Sequence, residues 1–287
     1  MPQKPPARLF VLLARESRQA LIYRRGPSKQ VQLISWNLQH DTFVKGQWFK
    51  GRIYERRCDI SPDGKYLLSF LQDYGRAPYT WTVLSKPPYL TALTYWPKGD
   101  AWGGGALFGE NKTIRLNHRM EEFETGKDSS FKNHFQLEPL HERSGWGEDQ
   151  PIWGMRLVRD GWTYTDEGPD EMYSYSKPSP KNTFTLVMKI VNIFSKPPFP
   201  WYHMHYRVSN TTGDILIDLD RTDWADWDQN GDLLFAKDGG IFRCYKRDLK
   251  AGKGVETAVE LINLNASVFE NVAPPRGYES QSNGLQS

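Results

Sequence analysis

Short apolar runs alternate with polar turns along the whole chain, and a helical period is weak throughout. Runs of this length, rich in aromatic and β-branched residues, are typical of strands. The pattern therefore predicts an all-β chain whose first buried strand covers residues 9–14. The other predicted strands cover residues 20–23, 31–36, 80–84, 106–108, 113–116, 152–158, 162–165, 184–194 and 240–245.

Glycine turns followed by apolar strands recur along the chain. The two clearest copies are DISPDGKYLLSF at 59–70 and DWDQNGDLLFAK at 226–237, which align on Gly64 and Gly231. Gly99 and Gly213 stand at the same point in two weaker copies. A glycine there supplies the positive φ of a tight turn between strands. A second echo, SKPP at 85–88 and 195–198, marks rigid links between strands, since proline is excluded from central strands.

The first of these turns resembles the strand–turn–strand signature of TolB-type and WD-like β-propeller repeats. DWDQNGDLLF is similar to the variant found in gluconolactonase-like and regucalcin-like propellers. The resemblance implies a single β-propeller over residues 1–272 with five or six four-stranded blades, at about 40 to 45 residues per blade. Residues 118–150 are polar and interrupt the pattern, so we predict an insertion there with a short helix near 119–124. Residues 273–287 are predicted to be a disordered tail.

Composition and charge narrow the class of partner. The net charge is only +3 and no basic stripe dominates, so nucleic acid is not expected as a partner. The basic run RIYERR at 52–57 is expected to lie on solvated strand edges. No apolar run approaches the length that spans a membrane, and 9–14 is too short for a signal peptide. With Cys58 and Cys244 expected to be free thiols, we predict a cytoplasmic protein.

The segment DWDQNGD begins like an EF-hand calcium loop, with Asp226, Asp228 and Asn230 at positions 1, 3 and 5. Such a loop needs a bidentate glutamate at position 12, where this chain has Lys237. We therefore interpret it as a structural turn. The two aspartates should accept backbone N–H bonds, and Gly231 should have a positive φ. A metal held by Asp226 and Asp228 remains the alternative.

Two further segments suggest ligand chemistry. His203 and His205 are two apart on a predicted strand, so they share a face and could ligate zinc with a third ligand. We favour two imidazoles on a half-exposed strand. The glycine-rich stretch 99–111 lacks the lysine position of a phosphate loop and predicts close backbone approach instead. No cofactor is expected.

Aromatic residues cluster in the middle of the chain, where they either line a binding face or fill the core. The candidate ligand-binding residues are Trp146, Trp153, Trp162 and Tyr164. Since no catalytic motif is recognisable, the sequence favours a non-catalytic propeller that binds a protein, with a small ligand possible. The alternatives are a metal-dependent lactonase-like hydrolase with an ion in the central channel, where Asp59, Asp226 and Asp228 would be examined first, and a sugar- or peptide-binding propeller.

Overall fold

The structure is a computed structural model that describes residues 5–26, 30–75, 77–124, 134–165, 173–193 and 202–278. Strands make up 46% of it, which confirms the all-β prediction. They form five separate sheets, and each sheet is built from strands that are consecutive in the sequence.

The first three sheets come from the first half of the chain. The first has the order β1-β2-β3-β4, from strands Arg8–Leu13, Gln19–Arg25, Gln30–Asn37 and Thr42–Lys50. The second has the order β5-β7-β8-β9 with β6 paired to β7, from strands Arg52–Ile53, Asp59–Ile60, Leu67–Gln72, Thr80–Ser85 and Thr94–Pro97. The third has the order β10-β11-β12, from strands Ala106–Phe108, Thr113–Leu116 and Gln136–Pro139.

The last two sheets follow in the same manner, each with its strands in chain order. The fourth comprises β13 to β17, which are Thr163–Thr165, Tyr173–Pro178, Phe184–Ile193, Tyr202–Asn210 and Ile215–Arg221. The fifth comprises β18 to β21, which are Trp224–Trp227, Leu233–Lys237, Gly240–Cys244 and Val259–Asn263.

Helices are few. The longest is α1, Asp149–Arg159, and the second is α2, Lys246–Lys250. Short 3₁₀ turns occupy Glu55–Arg57, Met120–Glu122 and Val255–Thr257. The one at Met120–Glu122 agrees with the short helix predicted near 119–124. Within the described ranges no helix is long and apolar enough to cross a membrane.

The predicted strand at 152–158 is wrong, because these residues lie in α1. The buried residues there are Ile152, Trp153, Arg156 and Leu157. Their spacing of one, three and one residues follows a helical face rather than the alternation of a strand. Val158, which a buried strand would have covered, is 60% exposed.

Residues 118–150 are more regular than a loose insertion. They contain β12, which pairs in parallel with β11, and the first residues of α1; residues 125–133 lie outside the described chain. The predicted tail is also anchored in part. Its residues are described up to Tyr278, which is 6% exposed, and residues 279–287 lie outside the described chain.

The chain divides into two compact units, with boundaries inside β1 and α1. We call residues 11–154 with 268–287 the N-proximal unit, and residues 1–10 with 155–267 the C-proximal unit. A core of the N-proximal unit joins its second and third sheets and includes Leu68, Leu84, Trp96, Phe108 and Ile114. In the C-proximal unit, β16 alternates regularly, and Tyr202, Met204, Tyr206 and Val208 are its buried residues.

Three of the four predicted glycine turns contain the same type of backbone hydrogen bond. The N–H groups of Gly64, Gly213 and Gly231 each donate to the carbonyl oxygen three residues earlier, at 2.9, 3.2 and 3.0 Å. Their φ angles are +78°, +90° and +86°. Gly99 also has a positive φ, but its N–H donates to the carbonyl of Thr80, so the predicted equivalence is wrong there. The second SKPP copy lies outside the described residues.

Candidate functional site

The glycine-rich segment before β10 allows backbone to approach backbone and side chain closely. Gly103, Gly104 and Gly105 have φ angles of +83°, +85° and +88°. A Cβ at Gly104 would lie 2.2 Å from the ring of Phe70, and one at Gly103 would lie 2.4 Å from the backbone of Gly145. The close approach predicted for this segment is therefore what the structure contains. At these three glycines the packing leaves no space for a side chain.

Arg57 fixes this loop from below. Its guanidinium donates to the carbonyl oxygens of Ala101 at 2.8 Å and Gly103 at 2.6 Å, and to the carboxylate of Asp149 at 2.5 Å. The same group lies 4.6 Å from the ring of Tyr54. The expectation that the RIYERR run is solvated is wrong for Arg57, which is 3% exposed. Because its charge is paired and its Nε and Nη1 groups donate hydrogen bonds, burial is tolerated.

A second buried cation lies near the same loop. The side chain of Lys98 has no exposed surface, and its ammonium group is 2.9 Å from the carboxylate of Glu122 and 3.2 Å from that of Asp100. Glu122 also accepts the backbone N–H of Arg119 at 2.9 Å. Glu122 therefore links the buried ammonium group to the loop that follows β11. We call Thr82, Lys98, Asp100, His118 and Glu122 the Lys98 cluster.

His118 is the imidazole of this cluster and is fully buried. Its Nε2 is 2.8 Å from the hydroxyl of Thr82. Its Nδ1 has no hydrogen-bond partner among the described residues and is 3.9 Å from the carboxylate of Glu122. Burial, together with the positive charge of Lys98, lowers the pKa of His118 to about 3. The ring is therefore neutral at physiological pH. The Thr82 hydroxyl accepts the N–H of Gly105 at 2.9 Å.

The order carboxylate, imidazole, hydroxyl is also that of a hydrolase nucleophile. Here, however, both Thr82 and His118 are 0% exposed. A hydroxyl that accepts a backbone N–H and has no exposed surface offers no approach to a substrate carbonyl. The Lys98 cluster, in which Asp100 alone is largely exposed, is therefore a support that positions the loops around it.

Asn117, which directly precedes His118, connects the loops 103–105 and 145–147. Its side-chain oxygen accepts the N–H of Gly145 at 3.0 Å, and its backbone carbonyl accepts the N–H of Gly104 at 2.7 Å. The N–H of Gly103 donates in turn to the carbonyl of Gly147 at 2.6 Å. The loop 145–147 is thereby bonded to the loop 103–105.

Large apolar side chains project from these connected loops into solvent. Trp102 is 48% exposed, Met120 is 65% exposed and Trp146 is 53% exposed. The guanidinium of Arg119 lies 4.5 Å from the ring of Trp146, within range of a cation–π contact. We call Trp102, Arg119, Met120 and Trp146 the tryptophan face. Its exposed apolar groups stand on backbone that the bonds above hold in place.

The four aromatic residues predicted to bind ligand fall into two pairs. Trp146 and Trp153 belong to the N-proximal unit, and Trp162 and Tyr164 belong to the C-proximal unit. Trp153 is 2% exposed beneath the guanidinium of Arg56, and Trp162 is 4% exposed. These two fill core, the alternative that the sequence left open. Trp146 and Tyr164, which is 49% exposed, remain accessible.

The acidic segment DWDQNGD forms a turn whose carboxylates accept hydrogen bonds from donors of the protein itself. Asp228 accepts the N–H groups of Asn230 and Asp232 at 2.8 and 2.9 Å, and Asp226 accepts that of Trp227 at 2.7 Å. The other carboxylate oxygen of Asp228 is 2.5 Å from the guanidinium of Arg243, which also bonds Asp232. The predicted backbone bonds and the positive φ of Gly231 are confirmed.

The histidine pair lies as predicted on one half-buried face of β16. His205 is 3.9 Å from the carboxylate of Asp220. Burial, then the charge of Arg221, lowers the pKa of His203. Within the described parts of the chain, no group of three or more His, Cys, Asp or Glu residues is placed to hold a metal ion. Asp59, the other aspartate considered for a channel ion, accepts the N–H of Phe108 at 2.8 Å.

Sequence reasoning missed most of the tryptophan face and its support. Trp102 is absent from the predicted binding residues because the pattern of its segment is dominated by glycines. Lys98, His118 and Glu122 are separated along the chain, and no motif joins them. The available signal was local: both Trp102 and Trp146 directly precede a glycine with positive φ where a Cβ would approach a neighbouring residue closely.

Comparison with known proteins adds little to this geometry. No family model matches the sequence, and no curated protein matches it. The uncharacterized protein lmo1340 from Listeria monocytogenes EGD-e is 10% identical over 85% of this chain and 63% of its own, with a TM-score of 0.25. Hydrazine synthase of Kuenenia stuttgartiensis is 12% identical over 84% of this chain and 53% of its own, with a TM-score of 0.21. A chain of a mitotic checkpoint complex is 9% identical over 93% of this chain and 84% of its own, with a TM-score of 0.25. This chain thus spans less than two thirds of the first two, and similarities this weak carry no argument.

Proposed function

We propose that this protein is a non-catalytic binding module and that a protein partner docks on the tryptophan face. The observation that carries the proposal is the joint exposure of Trp102, Met120 and Trp146 on loops bonded to each other. Tryptophan and arginine dominate the binding energy of protein interfaces, where they are enriched at hot spots. Exposed aromatic groups on a fixed backbone lose little conformational freedom on binding.

The Lys98 cluster supports this function without taking part in chemistry. Glu122 pairs with Lys98 and accepts the backbone N–H of Arg119. The guanidinium of Arg119 in turn lies over the ring of Trp146. The exposed ring is thus connected to a fully buried ammonium group. Such a connection keeps the face preorganised in the absence of a partner.

The finer fold proposal is a β-propeller of five or six blades. Five sheets of consecutive strands support five blades, although only two of the sheets have the predicted four strands and β11 pairs with β12 in parallel. Cys58 and Cys244 are buried thiols, and the described chain contains no disulfide, which favours a reducing compartment such as the cytoplasm. The lactonase-like alternative has less support, because Asp59, Asp226 and Asp228 are already bonded to protein donors.

Site-specific photo-crosslinking tests the proposed face. A benzoylphenylalanine placed at Met120 should yield discrete crosslinked products in cells. The same group at Val44, which is 56% exposed in the same unit, is the matched control and should yield none of them. Adding Trp146→Ala should remove the products from the Met120 position, with the melting temperature unchanged. Equal products at both positions, or products that survive Trp146→Ala, would count against the tryptophan face.

A further inference from the structure

A separate pocket of about 430 Å³ opens in the N-proximal unit between β4 and the strands β7, β8 and β9. This volume lies in the range of ligand sites. Four aromatic side chains contribute to its wall, namely Trp48, Phe49, Trp81 and Tyr95. None of the described lining residues is charged. An uncharged ligand therefore fits this pocket better than an ionic one.

A β-bulge shapes one wall of the pocket. The register of β3 and β4 shifts between Gln32 and Ile34, opposite Gly46 and Gln47. Gly46 lets the Pro88 loop approach, since a Cβ there would lie 2.2 Å from the Pro88 carbonyl oxygen. The N–H of Gln47 donates to that same oxygen at 3.0 Å. Bulges commonly redirect a side chain toward a site, and here Gln47 lines the pocket.

Among the side chains that line the pocket, hydrogen bonding leaves chiefly donors to a ligand. The side-chain oxygen of Gln47 accepts the N–H of Leu90 at 2.7 Å and the hydroxyl of Thr91 at 3.4 Å. The carbonyl of Thr91 accepts the hydroxyl of Tyr278 at 3.0 Å. Within the described chain, the amide nitrogen of Gln47 and the hydroxyl of Tyr95 have no partner. The first can only donate, and the second can donate.

A proline-containing segment of the chain itself is flanked by two contacts to residues that line the pocket. Phe269 packs on Trp48 with ring centroids 5.9 Å apart, and Tyr278 bonds Thr91 and packs edge-on against Tyr89. Between these two contacts runs VAPPRG at 272–277, without helix or strand up to the turn at 276. A proline-bearing segment of this chain thus runs between contacts to Trp48 and Thr91, both of which line the pocket.

We infer that the aromatic pocket binds an uncharged, proline-rich peptide segment of a partner in the extended polyproline conformation. Proline rings pack on aromatic walls, and polyproline backbone has free carbonyl acceptors but no N–H donor. That matches a pocket whose unpaired groups can donate. A sugar fits less well, because each buried hydroxyl that donates needs an acceptor, and leaving it unpaired is costly.

Fluorescence polarization with a labelled decaproline peptide tests the inference on the full chain. Saturable binding is expected. Tyr95→Phe removes one donor and should weaken binding about fivefold. Gln47→Glu replaces the donating amide with a charged acceptor, keeps the bond from Leu90, and should weaken binding about tenfold or more. Gln39→Glu, the same substitution at an exposed position, should leave binding unchanged.

Several results would overturn the inference. One is the absence of saturable decaproline binding, and another is binding that Tyr95→Phe and Gln47→Glu leave unchanged in folded protein. Displacement of the peptide by maltose or cellobiose but not by unlabelled decaproline would assign the pocket to a sugar. Trp146→Ala should not affect peptide binding, so this inference and the proposed protein-docking face can fail separately.

Discussion

Two turns of the C-proximal unit share one hydrogen-bond pattern and differ in their surroundings. In the first, Asn210 accepts the N–H groups of Thr212 and Asp214 at 3.0 and 2.9 Å. In the second, Asp228 accepts those of Asn230 and Asp232 at 2.8 and 2.9 Å. Each turn is also closed by a backbone bond across five residues, at 3.0 and 2.9 Å. The geometry is therefore a local property of an Asx residue followed three positions later by glycine.

The difference lies in burial and charge. Thr212 and Asp214 are exposed, whereas Asp228 is 3% exposed and its second oxygen is paired with Arg243, also 3% exposed. Arg243 reaches Asp232 as well, and Asp232 accepts the first N–H of α2, that of Lys246, at 2.8 Å. The guanidinium supplies the positive charge that a calcium ion would bring to such a loop. One turn is a surface connection, and the other joins β19, β20 and α2.

The largest effect that distinguishes the two turns should come from removing that charge. Arg243→Leu leaves two carboxylates without their partner, so we expect the free energy of unfolding to fall by about 3–5 kcal/mol in urea titration. Arg207→Leu is the matched control, because Arg207 pairs with Asp218 at 3.0 Å on an exposed surface and should matter by at most about 1 kcal/mol. Similar losses in the two variants would mean that burial of the ion pair is unimportant.

Asp223 offers the next comparison, as an aspartate that precedes the same sheet but bonds a backbone N–H, that of Leu9 at 3.0 Å. Burial raises the pKa of Asp223 from 3.8 to about 6. A raised pKa means that the folded state holds the proton more tightly, so this contribution to stability is present below about pH 4 and is lost as the pH rises through 6. The full shift corresponds to at most about 3 kcal/mol.

Asp223→Asn should flatten this pH dependence, because the amide keeps an acceptor for Leu9 and does not ionise. Unfolding free energies of the native protein and the variant, measured between about pH 4 and pH 7, give the result directly. The difference between them should shift in favour of the variant as the pH rises. A difference that is constant across the range would show that Asp223 titrates normally.

The comparison of the turns also shows what the sequence can predict. Turn geometry was accessible, because the side-chain acceptor, the glycine and the N–H donors lie within five residues. The role of Arg243 was not, because it lies 15 residues from Asp228 and the pairing depends on how β20 returns beside β19. The all-β class followed from short apolar runs. The strand predicted within α1 failed because seven residues of mixed apolar character fit either period.

The candidate site divides in the same way. Close backbone approach in the glycine-rich segment was predictable from composition alone. The Lys98 cluster was not, since it gathers Thr82, Lys98, His118 and Glu122 from three separate segments. Trp146 and Trp153 are seven residues apart and look alike in sequence, yet one is 53% exposed and the other 2%. Their exposure is decided by α1, whose inward face carries Trp153.

Substituting the two turn glycines should give smaller and nearly equal effects. Gly213 and Gly231 have φ angles of +90° and +86°, and neither position would place a Cβ closer than 3.4 Å to another atom. Gly231→Val and Gly213→Val should each destabilise the fold by about 1–3 kcal/mol, because the cost is backbone strain at positive φ. Urea titration of both variants measures it. A much larger loss at Gly231 alone would show that the buried turn imposes a steric limit beyond its backbone.

Calcium should have the smallest effect, close to none. Both carboxylates that could begin a calcium site are bonded to protein donors, Asp228 to Arg243 and Asp226 to Lys177 at 2.6 Å. Chelator or added calcium should therefore shift the melting temperature by less than about 1 °C, whereas a site saturated a thousandfold would shift it on the order of 10 °C. The same titration on Arg243→Leu sharpens the test. Calcium that stabilises only this variant would show that the guanidinium takes the place of a cation, while calcium that stabilises the native protein would show that the structural-turn interpretation is wrong.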